Sequence, residues 1–244
     1  MIWERLAPVG LAELSTTASL LTRMDRKYTL PRSAVPDLAA HLPAGTRVLD
    51  IDGHHTFNYR SVYFDTPARD SYLLAARGRP HRFKVRIRQY CDSGESHLEV
   101  KIRHGGATVK HRQPHPVGLL TLDRRHLDFI AACLAEGGVA GVRPECLKPV
   151  LTTTYTRTTL LGPEGNVRLT LDQDLTWSSH GHTLRLPELA IAETKSHRHT
   201  TSLDGVLWRS GHRPRRLSKF ATGMAALHPE LPSNRWHNTL HNHF

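Results

Sequence analysis

Alternation dominates the hydrophobic pattern of this chain. In "FKVRIRQY" (83–90), Phe83, Val85 and Ile87 occupy every second position, and Lys84, Arg86 and Arg88 stand between or after them. A strand sends successive side chains to opposite faces, so this segment predicts a ribbon with one apolar and one cationic face. The period recurs in "SHLEVKIR", where Leu98, Val100 and Ile102 oppose His97, Glu99, Lys101 and Arg103. It aligns Tyr155 with Arg157 in "TTTYTRTT", and Arg168 with Thr170 and Asp172 in "VRLTLDQD". "IAETKS" aligns Glu193 with Lys195, and "RMDRKY" aligns Arg23, Asp25 and Lys27. Runs of this kind predict strands near 22–29, 57–64, 82–90, 96–103, 107–112, 150–160, 166–172 and 189–195. Gly105 and Gly106 separate two of them and suit a tight hairpin turn, whose central positions both need positive φ.

A helical period interrupts the strands. "LDRRHLDFIAACLAE" (122–136) gathers Leu122, Phe129, Ile130, Cys133 and Leu134 on one stripe, with Gly137 placed to end the helix. Shorter helices are expected at 33–41 and 202–210, the second with Ser202 as cap and Gly211 at its end. A last helix begins at "LSKFATGMAAL", where Ser218 is placed to cap, and "RWHNTLHNHF" reads as a loosely held tail within about 229–244. No repeat and no linker-like stretch divides the chain, so residues 1–244 are expected to form one domain with its core at about 22–228. The expected class is α+β: a large antiparallel sheet, curved or closed, with helices packed outside.

Composition narrows the partners rather than the fold. With 244 residues, 39% hydrophobic and 23% charged, the chain is long enough for a real core and unlike a disordered or fibrous one. Lys and Arg number 33 against 22 acids, a formal charge of +11, which directs attention to nucleic acid, anionic membrane or a small polyanion. Cys91, Cys133 and Cys146 are odd in number and lack CxxC spacing, so neither a disulfide framework nor a zinc site is suggested. The 18 histidines are scattered through loops and the tail without ligand spacing. No basic-then-apolar leader and no long apolar run is visible, so the expectation is a soluble, cytoplasmic protein.

The cationic strand by itself has an ordinary explanation. Alternate residues on a strand lie about 7 Å apart, and two unit charges at that distance in water repel by only about 0.6 kcal/mol. A solvated outer face would tolerate Lys84, Arg86 and Arg88. The charged faces of the other strands change the picture, because a closed sheet would bring them together inside, which requires a polyanionic guest.

The motifs "DRKY", "SVYFDT", "FKVRIRQY", "LEVK", "TVKHR", "YTRT", "LTLDQDL", "AETKS" and "LSKF" occur in this order from about Arg23 to Ala226. In that order they resemble the VTC (vacuolar transporter chaperone) catalytic domain, the polyphosphate polymerase branch of the triphosphate tunnel metalloenzymes, which are related to the CYTH proteins. The resemblance implies an antiparallel β-barrel forming a tunnel, in which basic side chains bind triphosphate or polyphosphate and an acidic residue holds Mn²⁺ or Mg²⁺. It implies a phosphate-binding Lys27, a tunnel pair Arg86 and Arg88 with Lys84 at the tunnel edge, and lysines Lys101 and Lys110 on the next strands. It further implies a Tyr155–Arg157 pair beside the phosphates, a metal-binding Glu193, and a Ser218–Lys219 pair at a helix start. Arg86, Arg88, Arg157 and Lys219 are then the catalytic candidates, with Glu99 or Asp172 as further acids near the metal.

The chain departs from the CYTH pattern where ExExK is expected, since Arg23 and Asp25 stand at the two glutamate positions. That favours the polymerase branch over a two-glutamate metal site. Transport would need a separate membrane protein partner. Phosphoryl transfer asks the protein mainly for positioning and charge neutralisation, so no nucleophilic side chain is nominated.

Three classes stay open: a polymerase from ATP or a related triphosphatase, a non-catalytic polyphosphate-binding module, and a nucleic-acid-binding protein. The retained Glu193 favours the enzyme. Aromatics at 7% and the absence of a recognition motif disfavour nucleic acid, although "HRPRRLSK" reads equally as a nucleic-acid patch and as a solvated approach to a phosphate site.

Overall fold

A computed structural model describes residues 2–17, 24–104, 107–196 and 200–244. Arg23 and the Gly105–Gly106 turn lie outside the described residues. In chain order the elements are β1 (Ala7–Val9), α1 (Leu11–Thr17), β2 (Met24–Pro31), α2 (Val35–Ala40), β3 (Arg47–Leu49), β4 (Thr56–Asp65) and α3 (Asp70–Ala76). Then follow β5 (Arg82–Tyr90), β6 (Glu95–His104), β7 (Ala107–Pro114), α4 (Arg124–Glu136), β8 (Lys148–Leu161), β9 (Arg168–Ser179), β10 (His182–Leu186) and β11 (Leu189–Ser196). The chain finishes with α5 (Ser202–Arg209), α6 (Lys219–Leu227) and α7 (His237–His243).

The strands form one sheet ordered β2-β11-β9-β8-β4-β5-β6-β7, antiparallel throughout this path, with β10 paired to β9 and β3 to β8; β1 joins β3 in parallel. The fold is thus α+β, with a curled, barrel-like antiparallel sheet. Among the described residues the ladder does not close, because β2 and β7 are its two ends. The segment before α6 instead covers the free edge of β2, where the Arg215 N–H donates to the Lys27 carbonyl at 2.7 Å.

Each strand's alternation decides what it buries. On the outer face, Val85, Ile87, Leu98, Val100 and Ile102 pack against Ile130, Cys133 and Leu134 of α4. Tyr28, Leu30, Leu169, Leu171, Ala190 and Ala192 do the same for Leu203, Val206 and Leu207 of α5. At one end the interior is apolar as well: Tyr63, Leu175, Trp177 and Ile191 meet Phe220 and Met224 of α6. The α6 helix approaches so closely that a Cβ on Gly223 would stand 2.2 Å from the Trp177 ring.

Several local expectations shift for identifiable reasons. The helix expected at 202–210 is capped by Thr201, not Ser202: Thr201 Oγ1 accepts from the Asp204 N–H, and Asp204 accepts from the Thr201 N–H in return. Gly137 ends α4 chiefly by close approach, since a Cβ there would lie 2.0 Å from Ile102; the left-handed residue is Gly138, at φ 62°. Strand β9 runs past 172 through a bulge with Asp174 at φ 52°, then turns at His180–Gly181 into β10. The "FDT" sequence ends β4 and leads through a turn into α3, where the buried Asp65 carboxylate accepts the N–H groups of Thr66, Ser71 and Tyr72.

The chain end corrects the expectation of a loose tail. Trp236 is buried in the core beside Tyr72, the Thr239 hydroxyl donates to the Arg216 carbonyl, and Phe244 packs on Trp177 at 5.1 Å. Polar residues dominate this stretch, so composition concealed two anchoring rings. Among the described residues no helix is long and apolar enough to cross a membrane. Trp236→Ala is expected to cost about 3–5 kcal/mol in urea unfolding, as for a core aromatic; a loss under about 0.5 kcal/mol would mark a peripheral residue.

Candidate active site: a cationic cradle

The inward faces of seven strands converge on one cationic region. Lys27 of β2 stands opposite Glu193 of β11, and Asp172 of β9 opposite Arg157 of β8. Across the fold, Arg86 of β5 faces Glu99 of β6, Arg88 faces His97, and Lys84, Lys101 and Lys110 form one rung over β5, β6 and β7. Curling brings the two sets together. The charges of Lys101 and Glu193 act on each other although β9, β8, β4 and β5 separate their strands in the ladder. The α6 helix adds Ser218 and Lys219 at its start, where Ser218 Oγ accepts from the Ala221 N–H as the cap.

Three carboxylates sit among these cations, and each is held by two of them. Asp172 accepts from Arg157 Nε at 2.6 Å and Nη2 at 2.8 Å, and from the Lys219 ammonium. Glu99 accepts from Arg86 Nε at 2.7 Å through Oε2, with Lys110 at 3.6 Å from Oε1. Glu193 Oε1 lies 3.2 Å from Lys27 and 3.6 Å from Lys195. Burial opposes ionisation of all three, but the neighbouring cations outweigh it. Asp172 is held down at about 2, and Glu99 and Glu193 well below the usual carboxylate range.

Other cations have no carboxylate partner among the described residues. Arg88 donates to the Tyr155 hydroxyl at 2.9 Å and lies near Ser61 Oγ at 3.4 Å. Lys84 donates to Ser218 Oγ at 3.0 Å, its ammonium 5.5 Å from the Phe220 ring centre. Among the described residues Lys101 makes no hydrogen bond or ion pair. Burial pushes Lys84 down to about 8, a shift that the Tyr63 hydroxyl opposes and that Arg86 and Lys27 reinforce; burial and Arg86 hold Lys101 well below the lysine range.

The sequence-predicted residues Lys27, Lys84, Arg86, Arg88, Lys101, Arg157, Glu193, Ser218 and Lys219 therefore meet around this cradle, and Lys110 stands at its more open rim. Tyr155 is buried, stacked on Tyr59 with centres 5.4 Å apart, and it steadies Arg88 with its hydroxyl. Arg86 and Arg157, two of the catalytic candidates, are each committed to a buried carboxylate. Glu99 and Asp172, entertained as further metal acids, are those carboxylates. Sequence reasoning missed Tyr63, which accepts from Arg86 Nη1 at 3.2 Å and stacks on Phe220. Burial would raise its phenol, but Arg86, Lys84 and Arg88 outweigh that and bring it down to about 8. Its place with Tyr59 and Ser61 on one face of "FNYRSVYFD" was a readable signal. Lys195, left unassigned, is the second clamp on Glu193.

The donor set fits a divalent metal of one kind. Among the described residues no three His, Cys, Asp or Glu side chains are placed to enclose an ion. Glu193, however, meets both its lysines through Oε1, whereas both oxygens of Asp172 are engaged. A hard cation such as Mg²⁺ or Mn²⁺ takes few protein oxygens and completes its shell with water and phosphate oxygens. Glu193 suits an ion that arrives with phosphates, and does not suit a cage built by protein alone.

A curled antiparallel sheet with helices outside and a cationic interior is the triphosphate-tunnel type of fold. Two solved structures share it: a provisionally assigned adenylate cyclase from Bacillus halodurans, at TM-score 0.52 and 14% identity over 81% of this chain and 94% of that one, and an adenylyl cyclase candidate from Hippeastrum with a dominant triphosphatase activity, at TM-score 0.50 and 19% identity over 88% and 100%. No curated protein sequence matches significantly. The chain belongs to the VTC domain family, whose model matches residues 22–228.

Lys84 and Tyr63 set a pH dependence. In the unfolded chain Lys84 keeps its proton to about 10.5 and Tyr63 to about 10, but in the fold both release it near 8. The unfolded state binds more protons between those values, so the stability of the ligand-free protein should rise from pH 8 toward 10, read as melting temperature. Lys101→Met should raise the melting temperature by about 2–4 °C, as roughly 1 kcal/mol does in a domain of this size, while weakening triphosphate binding.

Proposed function

We propose that the protein is a metal-dependent polyphosphate polymerase that transfers the terminal phosphate of ATP to a growing polyphosphate chain in the cradle. The observation that carries this reading is the set of inward cations with no carboxylate partner among the described residues, Lys84, Arg88 and Lys101, standing among others already neutralised. An empty cradle of this kind is electrostatically frustrated, and a chain of phosphates relieves it. Membership of the VTC family supports the polymer as product.

Arg88 is the freest planar fork for phosphate oxygens, and Lys84 and Lys101 supply point charges beside it. Arg86 and Arg157 are fixed in orientation by Glu99 and Asp172, so each presents its remaining N–H groups without reorganisation when charge develops. Lys27, Lys195, Lys110 and Lys219 hold the carboxylates and neutralise phosphates at the margins. A divalent metal, bound at Glu193 with the substrate, would neutralise phosphate oxygens. The new P–O bond forms from a terminal phosphate oxygen of the acceptor to the γ-phosphorus, and the bond to the bridging oxygen breaks, releasing ADP.

An acceptor phosphate needs no base, because its oxygen is already anionic. Water would have to lose a proton, and the three carboxylates are too strongly held by cations to be good bases at neutral pH. Chain growth therefore asks for no base, whereas hydrolysis would have to use another group, such as Lys84 or Tyr63, which release their protons near 8. The second reading is a triphosphatase, favoured by the activity of the Hippeastrum protein with the similar fold. In either reading the setting is cytoplasmic, where ATP is found.

Purified protein incubated with ATP and Mn²⁺ or Mg²⁺ should yield ADP and a ladder of polyphosphate on a gel. Arg88→Ala should lower the rate by about 10²-fold or more, as for loss of a charge-stabilising donor, with the protein still folded. Glu193→Gln should abolish the metal dependence along with turnover. Free phosphate without chains would identify a triphosphatase, and polyphosphate binding without turnover would identify a binding module.

A further inference from the structure

Beyond the rung of Lys84 and Lys101, the same face of β5 and β6 continues with Arg82 opposite Arg103. Neither forms an ion pair with a carboxylate among the described residues. Burial lowers the pKa of Arg82, and the charges of Arg103 and Arg235 lower it further, so Arg235 stands within their field. Arg235 in turn lines a cleft of about 320 Å³ with Arg215, Arg216, Asn234, Asn238 and Thr239. No carboxylate lines it, and none of its three arginines has an acidic partner among the described residues.

An exposed run of arginines is ordinarily a solvated surface. Here the backbone that carries them is pinned on both sides. The Arg215 N–H is bonded to the Lys27 carbonyl, the Arg216 carbonyl accepts from Thr239, and Trp236 is buried in the core. The cleft also adjoins the cradle. Lys27 pairs with Glu193, and Ser218, which accepts from Lys84, follows Arg216 by two residues, a span of at most about 7 Å.

We propose that this cleft is a second phosphate-binding site, which takes the phosphate groups of an inorganic polyphosphate chain after it passes Lys84. The proposal rests on the polyphosphate reading of the cradle. Arginine forks grip phosphate oxygens in pairs, and the Asn and Thr side chains add neutral donors. Nucleic acid fits less well, since the aromatic residue of the wall, Trp236, is buried and offers no open face to a base. A triphosphate fills the cradle alone, whereas a long chain engages both sites, so affinity should grow with chain length.

The test measures binding of inorganic triphosphate and of long-chain polyphosphate by titration calorimetry. Arg215→Gln/Arg216→Gln changes two exposed side chains, and Arg235→Gln is a second, independent variant; thermal melting checks both. Loss of the paired arginines should weaken long-chain binding by about tenfold or more while triphosphate affinity stays within about twofold. Unchanged long-chain affinity, or equal loss for both probes, overturns the proposal. Lys101→Met separates it from the cradle reading. If triphosphate binding is absent or indifferent to Lys101→Met, the cradle reading fails; long-chain binding that still requires the arginines then upholds the cleft, and binding that does not overturns it. A single-stranded oligonucleotide that binds as tightly as polyphosphate, with the same arginine dependence, overturns the assignment of the ligand.

Discussion

Inward-facing cations in a curled sheet are the constraint around which this molecule is arranged. Charges that would cost little on a solvated face become expensive once the sheet brings them together and water is thinned out. The chain answers with Glu99, Asp172 and Glu193, each set between two cations. Those pairs do not chiefly serve stability, since buried ion pairs often roughly break even with apolar packing. They allow arginines and lysines to be held in place in the absence of a guest. Neutralisation is incomplete at Lys84, Arg88 and Lys101, and the residue of positive charge is what makes the interior a receptor.

The rest of the fold can be traced to keeping that interior in shape. Outer faces of the strands are apolar and packed under α4 and α5, so the sheet is held from outside while its inner face stays polar. At one end the interior is filled by α6, whose Phe220 and Met224 meet Tyr63 and Trp177 while its first residues present Ser218 and Lys219 to the charges. The last helix secures that plug through Trp236 and Phe244. Among the described residues the seam between the end strands has no ladder, and the segment carrying Arg215 and Arg216 lies along its β2 side. An aromatic layer of Tyr59, Tyr63 and Tyr155 lies beneath the arginines, with guanidinium carbons 5.1–5.8 Å from the ring centres.

Much of the candidate site was legible because strand period is so simple. Lys84, Arg86 and Arg88 had to share a face whatever the tertiary structure, and so did Glu99 with Lys101 and Glu193 with Lys195. What period cannot carry is pairing. Arg86 and Arg157 look identical to Arg88 in the pattern, yet they are bound to carboxylates and Arg88 is not. The difference lies in which residue the neighbouring strand places opposite: Glu99 and Asp172 in two cases, Ser61 and His97 in the third. The tail was misjudged for a related reason, since two rings among polar residues anchor it only because α6 and Trp177 are there to receive them.

By itself the sequence determined the eight strands of the main path but not the short β1, β3 and β10, together with the sign of the charged faces, the helical stripe of α4 and the cap at Ser218, because each of these depends on residues close in the chain. Tertiary structure decided that the charged faces turn inward, which cations are neutralised, and that Tyr63 belongs with them. Those outcomes depend on the curl of the sheet, which brings β6 within reach of β11 across four intervening strands and lets charges distant in sequence act on one another.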